Sequence, residues 1–331
     1  MHRPEQTHQR FLATFGHIPV TYADALSAGF TPRSLRTAVT RGLLLSPRRG
    51  VLTACAPDEV DPGEHLIQVR ASLGVVGVGV LASFDSAALL HGLFRPVATL
   101  PDVVQLVSPS GTGFTTPGLV VRASPVPEHD RAVVDGLPCT GIARTAVDLA
   151  RGRPLWSALI PLDSAARLLI ARATGETKNA LRHAVRAPEH RAYARAELER
   201  ALAAEFGWAG TVAVRDALEH VDPASESPAE SRSRGWFIEA GLGPLAPGTP
   251  ILCAGTTYWA DFCSPDRRVI GEADGWSKYG DTTREMREAV ERERRRQRDL
   301  EADGWTVTRW TSTEPRGAVV HRMSQALRRT R

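Results

Sequence analysis

Tyr258-Trp-Ala-Asp-Phe-Cys263, Ser264-Pro-Asp-Arg267 and Arg268-Val-Ile-Gly-Glu-Ala-Asp-Gly275 make up the stretch that decides the fold. Two short runs of aromatic and β-branched residues flank a turn-forming Ser-Pro-Asp cluster, which predicts a β-hairpin. Each run carries acids where a plain core strand would not. Side chains alternate along a strand, so Ile270, Glu272 and Asp274 share one face and Val269, Gly271 and Ala273 the other. A register that sets Asp261 alongside brings three carboxylates together at the end of a sheet. Their mutual repulsion then calls for a cation or a strong donor.

Working outward, Ser227-Pro-Ala-Glu-Ser-Arg-Ser-Arg234 precedes the hairpin, and an Arg-rich segment and Gly304-Trp-Thr-Val-Thr-Arg-Trp310 follow it. From Ser227 to Thr311 this order resembles the Vsr-like branch of the PD-(D/E)XK endonuclease superfamily. The resemblance implies a restriction-endonuclease-like α/β/α domain that binds Mg or Mn. It implies Asp261 and Glu272 as metal ligands, Glu230 as a further acid from a core helix, and Asp274 as a ligand or water-orienting base. Where most members carry Glu-x-Lys, this chain has Glu272-Ala273-Asp274, so the Lys that helps activate water is missing. Lys278 is the nearby substitute.

The segment from Thr283 to Ala302 predicts a long charged helix. Between Arg284 and Arg298 it holds seven arginines against four glutamates, an excess at Arg294-Arg-Arg296 and Arg298 that suits a phosphodiester, with Arg294, Arg295 and Arg298 as the expected contacts.

A chain of 331 residues is long enough for two or three domains of about 100 to 150 residues each. Hydrophobic and charged fractions of 42% and 24% fit an ordinary soluble protein, and no apolar run reaches membrane-spanning length. The first residues lead into no signal-peptide core, so the expected location is the cytoplasm, with no membrane partner. A net charge of +4 is compatible with a polyanionic partner such as DNA. Cys55, Cys139, Cys253 and Cys263 are widely spaced with no Cys-x-x-Cys pair, which disfavours a zinc site or a disulfide framework and makes them small core hydrophobes.

Residues 1–55 read as a helical unit closed by a small hairpin. Phe11, Leu12 and Phe15 form an apolar stripe, Tyr22-Ala-Asp-Ala-Leu26 restarts helical spacing, and Thr31 caps a further helix with Pro32 at its first position. Helix, turn, second helix and an Arg-rich β-turn is the order of a winged helix-turn-helix. The segment resembles the N-terminal winged-helix domain of AbiEi-type antitoxins. By position, Arg33, Arg36 and Arg41 are then the helix residues nearest DNA, and Arg48 and Arg49 the wing residues on phosphate.

Residues 63–221 give an α+β and then helical middle region. Leu66 to Leu73 is amphipathic, Gly74 to Leu81 is a strand-like glycine run, and Ser83 to Leu93 is a helix stopped at Gly92. The glycines lack the Gly-x-Gly-x-x-Gly order, which excludes a dinucleotide loop. Val103–Val107 and Gly118–Arg122 are strands, and Gly136 to Ala150 starts as a strand and becomes a helix capped by Thr140. This region resembles AbiEi-like proteins too. His91, Arg144 and Asp148 read as structural, the first at a helix C-terminus and the others as an i, i+4 pair. Leu155 to Val221 is helical, and Asp222-Pro-Ala-Ser-Glu-Ser-Pro228 predicts an exposed linker before residues 227–331.

The expected fold class is α/β, mixed α+β and multidomain. Two function classes follow. One is a metal-dependent DNA endonuclease guided by a winged helix. The other is a non-catalytic, antitoxin-like transcriptional regulator of a type IV toxin-antitoxin system, whose cognate toxin is of nucleotidyltransferase type. The oligomeric state stays open.

Overall fold

The computed structural model describes residues 3–54, 63–205, 207–274 and 283–329, and its elements form a mixed α/β, multidomain chain. Two compact units emerge, Met1–Leu93 with Val97–Thr145, and Phe94–Pro96 with Ala146–Arg331. Packing groups the helices after residue 146 with the C-terminal sheet. Among the described residues no helix is long and apolar enough to cross a membrane.

Unit 1 opens with α1 (Arg3–Phe15), β1 (Val20–Thr21), α2 (Tyr22–Ser27), α3 (Pro32–Thr40) and β2 (Val51–Leu52). Thr31 and Ser34 exchange side-chain and backbone hydrogen bonds in a capping box, and Pro32 sits where its missing N–H leaves nothing unsatisfied. Leu35 and Ala38 turn inward onto Phe11, Ala25, Phe30 and Leu44, with Phe11 and Phe30 edge to face at 5.7 Å. Arg10 fixes the turn before α3, donating to the Ala28 carbonyl at 2.8 Å and lying 4.4 Å over the Phe30 ring. β1 and β2 pair antiparallel, and Leu45 bridges Thr53, so the chain between them folds back as a short hairpin.

The rest of unit 1 comprises α4 (Gly63–Val76), β3 (Leu81–Ala82), α5 (Phe84–His91), β4 (Val104–Ser108), β5 (Phe114–Thr116), β6 (Leu119–Ala123), β7 (Arg131–Val134) and β8 (Leu137–Thr140). The strands form one mixed sheet in the order β5-β6-β4-β3-β8-β7. The glycine run corrects the sequence expectation. Helix continues through Gly74, and only Leu81–Ala82 is strand, because Gly77 and Gly79 take φ of 111° and 88° and break the chain between the two. His91 is buried and donates from Nε2 to the Thr140 carbonyl at 2.7 Å, so it ties α5 to β8 within the core in addition to preceding the Gly92 cap. Gly141, one residue after Thr140, precedes α6 (Ile142–Ala150), and Thr140 Oγ1 shares a hydrogen bond with Thr145 Oγ1. Arg144 reaches the Pro125 carbonyl and Ser124 Oγ, while Asp148 meets Arg151, contacts that sequence spacing did not suggest.

Unit 2 holds four helices, α7 (Leu155–Thr174), α8 (Lys178–Ala184), α9 (Pro188–Ala203) and α10 (Thr211–Leu218). They are followed by α11 (Pro228–Glu239), β9 (Ala246–Cys253), β10 (Thr256–Ser264), β11 (Val269–Asp274), α12 (Thr283–Ala302), β12 (Thr306–Thr311) and α13 (Arg316–Arg329). β9, β10 and β11 are antiparallel neighbours. β12 joins β11 in parallel, which requires the crossover that α12 supplies. Phe237, Phe262 and Trp310 cluster with centroids 5.3 to 5.6 Å apart, and Trp310 Nε1 donates to Ser233 Oγ. α11 lies so close to α7 that a Cβ on Gly235 would stand 2.3 Å from Trp156 Cα.

The expected linker at 222–228 is not open. Pro223, Ala224 and Ser225 are buried, Arg191 pairs with Asp222 at 2.7 Å, and the Asp222 amide donates to Asp163. Arg167 holds the Pro223 carbonyl and, with Arg182, Glu226. Pro, Ser and Asp here serve a fixed turn between packed helices instead of a flexible joint.

Candidate functional site

Two charged regions hold the candidate residues, one in each unit.

In unit 2, the hairpin register pairs Phe262 with Gly271 and Cys263 with Ile270, and Asp261 and Glu272 are the residues just past the first of these pairs. There the strands part, and Asp261 Oδ2 accepts from the Ala273 amide at 2.8 Å. Glu230 comes from the first turn of α11, where Ser227 caps the helix. Its carboxylate accepts from Ser227 Oγ and from the Glu226 amide, each at 2.7 Å. Burial, and then the Asp261 charge, push the Glu230 carboxyl up to about 8. Asp261, Glu230 and Glu272 thus belong to one row of acids. Asp274 ends β11, two residues beyond Glu272 and opposite Thr311 of β12. Lys278 lies outside the described residues, as does Cys55. The other three cysteines are buried.

Arginines close both ends of this row. Glu272 is 2% exposed, and the Arg296 guanidinium of α12 grips both its oxygens, Nη2 to Oε1 at 2.6 Å and Nη1 to Oε2 at 3.3 Å. Nη2 also donates to the Trp259 carbonyl at 2.9 Å. Burial opposes the charge on Arg296, but Glu272, then Glu293 and Asp261, outweigh it and hold its pKa above the ordinary arginine value. At the other end Arg167 and Arg182 pair with Glu226 at 2.9 and 2.7 Å. Burial alone would raise the Glu226 carboxyl, yet the Arg182 hydrogen bond and the two guanidinium charges bring it below the usual range. Arg182 also lies over the Trp259 ring, with His183 against the ring's edge.

Arg294, Arg295 and Arg298 do not join the acids. Arg294 and Arg298 are each two positions from Arg296, about 200° around the helix, and all three are exposed. They line an open hollow of about 620 Å³ with Glu291 and Arg292. Arg296, read from sequence as part of the basic excess for phosphate, instead turns inward onto Glu272. Its signal was the spacing to Leu300, one turn on and fully buried, which marks the inward face. Arg167 and Arg182 had no local signal.

A divalent cation does not fit this row as it stands. Glu272 has both oxygens engaged by a guanidinium, and among the described residues no group of three or more His, Cys, Asp or Glu is arranged to hold a metal ion.

In unit 1, Arg33 and Arg36 are exposed on the outer face of α3, one turn apart, and Arg41 is exposed just past its end. Arg49 is exposed at the tip of the 45–53 hairpin. Arg48 differs from its neighbour. It is half-buried, donates from Nη2 to the Gly118 carbonyl at 2.7 Å, and has its pKa lowered by burial. Its guanidinium fixes the hairpin against the loop before β6.

Comparison with known proteins adds an independent observation. Residues 77–199 match the family described as the AbiEi antitoxin C-terminal domain. Two Mycobacterium tuberculosis proteins, named Uncharacterized protein Rv2248 and Uncharacterized protein MT2308, are each 29% identical to this chain over 279 residues. The match covers 84% of this chain and 89% of theirs. The crystal structure of the RV2827C protein from Mycobacterium tuberculosis covers 76% of this chain and 89% of its own. It does so at 17% identity and a TM-score of 0.37, too low to bear on the fold. The chain therefore carries a region similar to the AbiEi antitoxin C-terminal domain, and that region ends before the acid row begins.

Proposed function

We propose that this chain is an antitoxin-like transcriptional regulator that binds duplex DNA through α3 and the 45–53 hairpin. The observation that carries the reading is the match of residues 77–199 to the AbiEi antitoxin C-terminal domain. It is supported by the outward guanidiniums of Arg33, Arg36, Arg41 and Arg49, set on a rigidly capped helix and a hairpin tip. A helix of this kind enters a major groove, and arginines at its margins and on the wing neutralise phosphates. Type IV antitoxins act against a cognate toxin, so a nucleotidyltransferase-type toxin is the proposed protein counterpart.

A second reading, phosphodiester hydrolysis at the C-terminal sheet, draws on one observation, that Asp261 of β10 acts on Glu230 and accepts from the Ala273 amide next to Glu272 of β11. It would require Mg or Mn on Asp261 and Glu272, with Asp274 or Lys278 serving the water. The grip of Arg296 on Glu272 counts against it. One experiment separates the readings. Duplex DNA from upstream of the chain's own gene is incubated with the protein, with and without Mg²⁺ or Mn²⁺, alongside Glu272→Ala. The regulator reading expects a retarded, uncut complex for both proteins. Metal-dependent nicking that Glu272→Ala abolishes would replace it with the hydrolase.

A further inference from the structure

We infer that the Arg296 guanidinium takes the place a divalent cation would hold between β10 and β11, so that the acid row becomes a cation site only when that side chain is removed. The inference does not rest on the regulator reading, since it concerns unit 2 alone.

The geometry is that of a bridging cation. Arg296 bonds the Trp259 carbonyl on β10 and both oxygens of Glu272 on β11, at 2.9, 2.6 and 3.3 Å. Asp261, two residues after Trp259, accepts from the Ala273 amide next to Glu272, and its charge also acts on Arg296. Carboxylate and carbonyl oxygens on adjacent strands are the ligands a hard divalent ion selects. Here a planar monovalent fork holds them. An incoming ion would have to expel that fork from a carboxylate that is 2% exposed, and the guanidinium, only 17% exposed itself, would keep only the longer 3.6 Å pair with Glu293 of its own helix. The far end of the row is closed in the same manner, because Arg167 and Arg182 already hold Glu226. α12 is two-sided as a result: Arg296 neutralises the row, and Arg294 and Arg298 face solvent.

The test titrates Mn²⁺ into the full chain and follows the melting temperature. The wild type is expected to show no rise. Arg296→Met is expected to gain a rise of about 5 °C or more at saturating Mn²⁺, because an ion that binds only the folded state stabilises it by mass action. The double variant Arg296→Met/Glu272→Gln is expected to lose that gain. A wild-type rise that Glu272→Gln removes would overturn the inference, and so would a folded Arg296→Met that ignores Mn²⁺. Should Arg296→Met fail to fold in the absence of metal, its refolding from denaturant is compared with and without Mn²⁺. Recovery in Mn²⁺ alone supports the inference, and failure in both contradicts it.

Discussion

Arg33 and Arg36 on α3 lie open to solvent, whereas Arg167, Arg182, Arg234 and Arg296 of unit 2 are turned onto carboxylates. The same residue type faces solvent in one region and supplies internal counter-charge in the other. Net charge does not distinguish the two uses, because paired and solvent-facing arginines add equally to it. What distinguishes them is whether the opposite face of the element is anchored near acids. α3 buries Leu35 and Ala38 against an apolar core, so its arginines have nowhere to turn but outward. α12 buries Leu300 beside β10 and β11, so the arginine on that face meets Glu272.

The contrast is sharpest in stability. Arg234 pairs with Asp163 at 2.6 Å, and both are buried. Arg234→Met leaves a buried carboxylate without its partner and is expected to destabilise unit 2 by about 3–5 kcal/mol in urea unfolding. Arg36→Ala, exposed, should stay within about 0.5 kcal/mol of wild type. Equal losses from the two substitutions would erase the distinction.

Next comes pH. An unfolded glutamate releases its proton near pH 4.3 on average, while folded Glu230 holds its own up to about 8. Between those values the folded state carries the extra proton, so Glu230's contribution, full below the unfolded pKa, is lost as pH rises through the folded one. Glu230→Gln should flatten that fall in a melting series across the window. An unchanged slope would place the titration elsewhere.

The smallest expected effect divides two neighbours. Arg48→Ala gives up a charged hydrogen bond to the Gly118 carbonyl and should lower the stability of unit 1 by about 1.5–3 kcal/mol, reduced by its partial exposure. Arg49→Ala should leave stability unchanged and weaken DNA binding. The reverse pattern would make Arg48 the DNA contact and Arg49 the structural residue.

The parts of this arrangement that sequence reasoning reached are those set by local chemistry. The Ser264-Pro-Asp turn with its flanking runs gives the β10–β11 hairpin, and Thr31, Pro32 and Ser34 give the start of α3. Strand alternation also put Glu272 and Asp274 on one face. The parts it missed depend on distant partners. Nothing near Arg182 announces Glu226, and the polar 222–228 segment reads as a linker until four helices' worth of contacts fix it in place. Arg296 was masked by its neighbours, since Arg294, Arg295 and Arg298 share its composition, and only helical phase tells the inward residue from the outward ones.

The proposed role of α3 is to present exposed guanidiniums to DNA phosphates. It is tested by the salt dependence of binding to duplex DNA, for the full wild-type chain and for Arg33→Ala/Arg36→Ala. Weaker binding by the variant is expected on every duplex, with the slope of log affinity against log salt reduced by about 1 for each arginine removed. Identical slopes for the two proteins would contradict it.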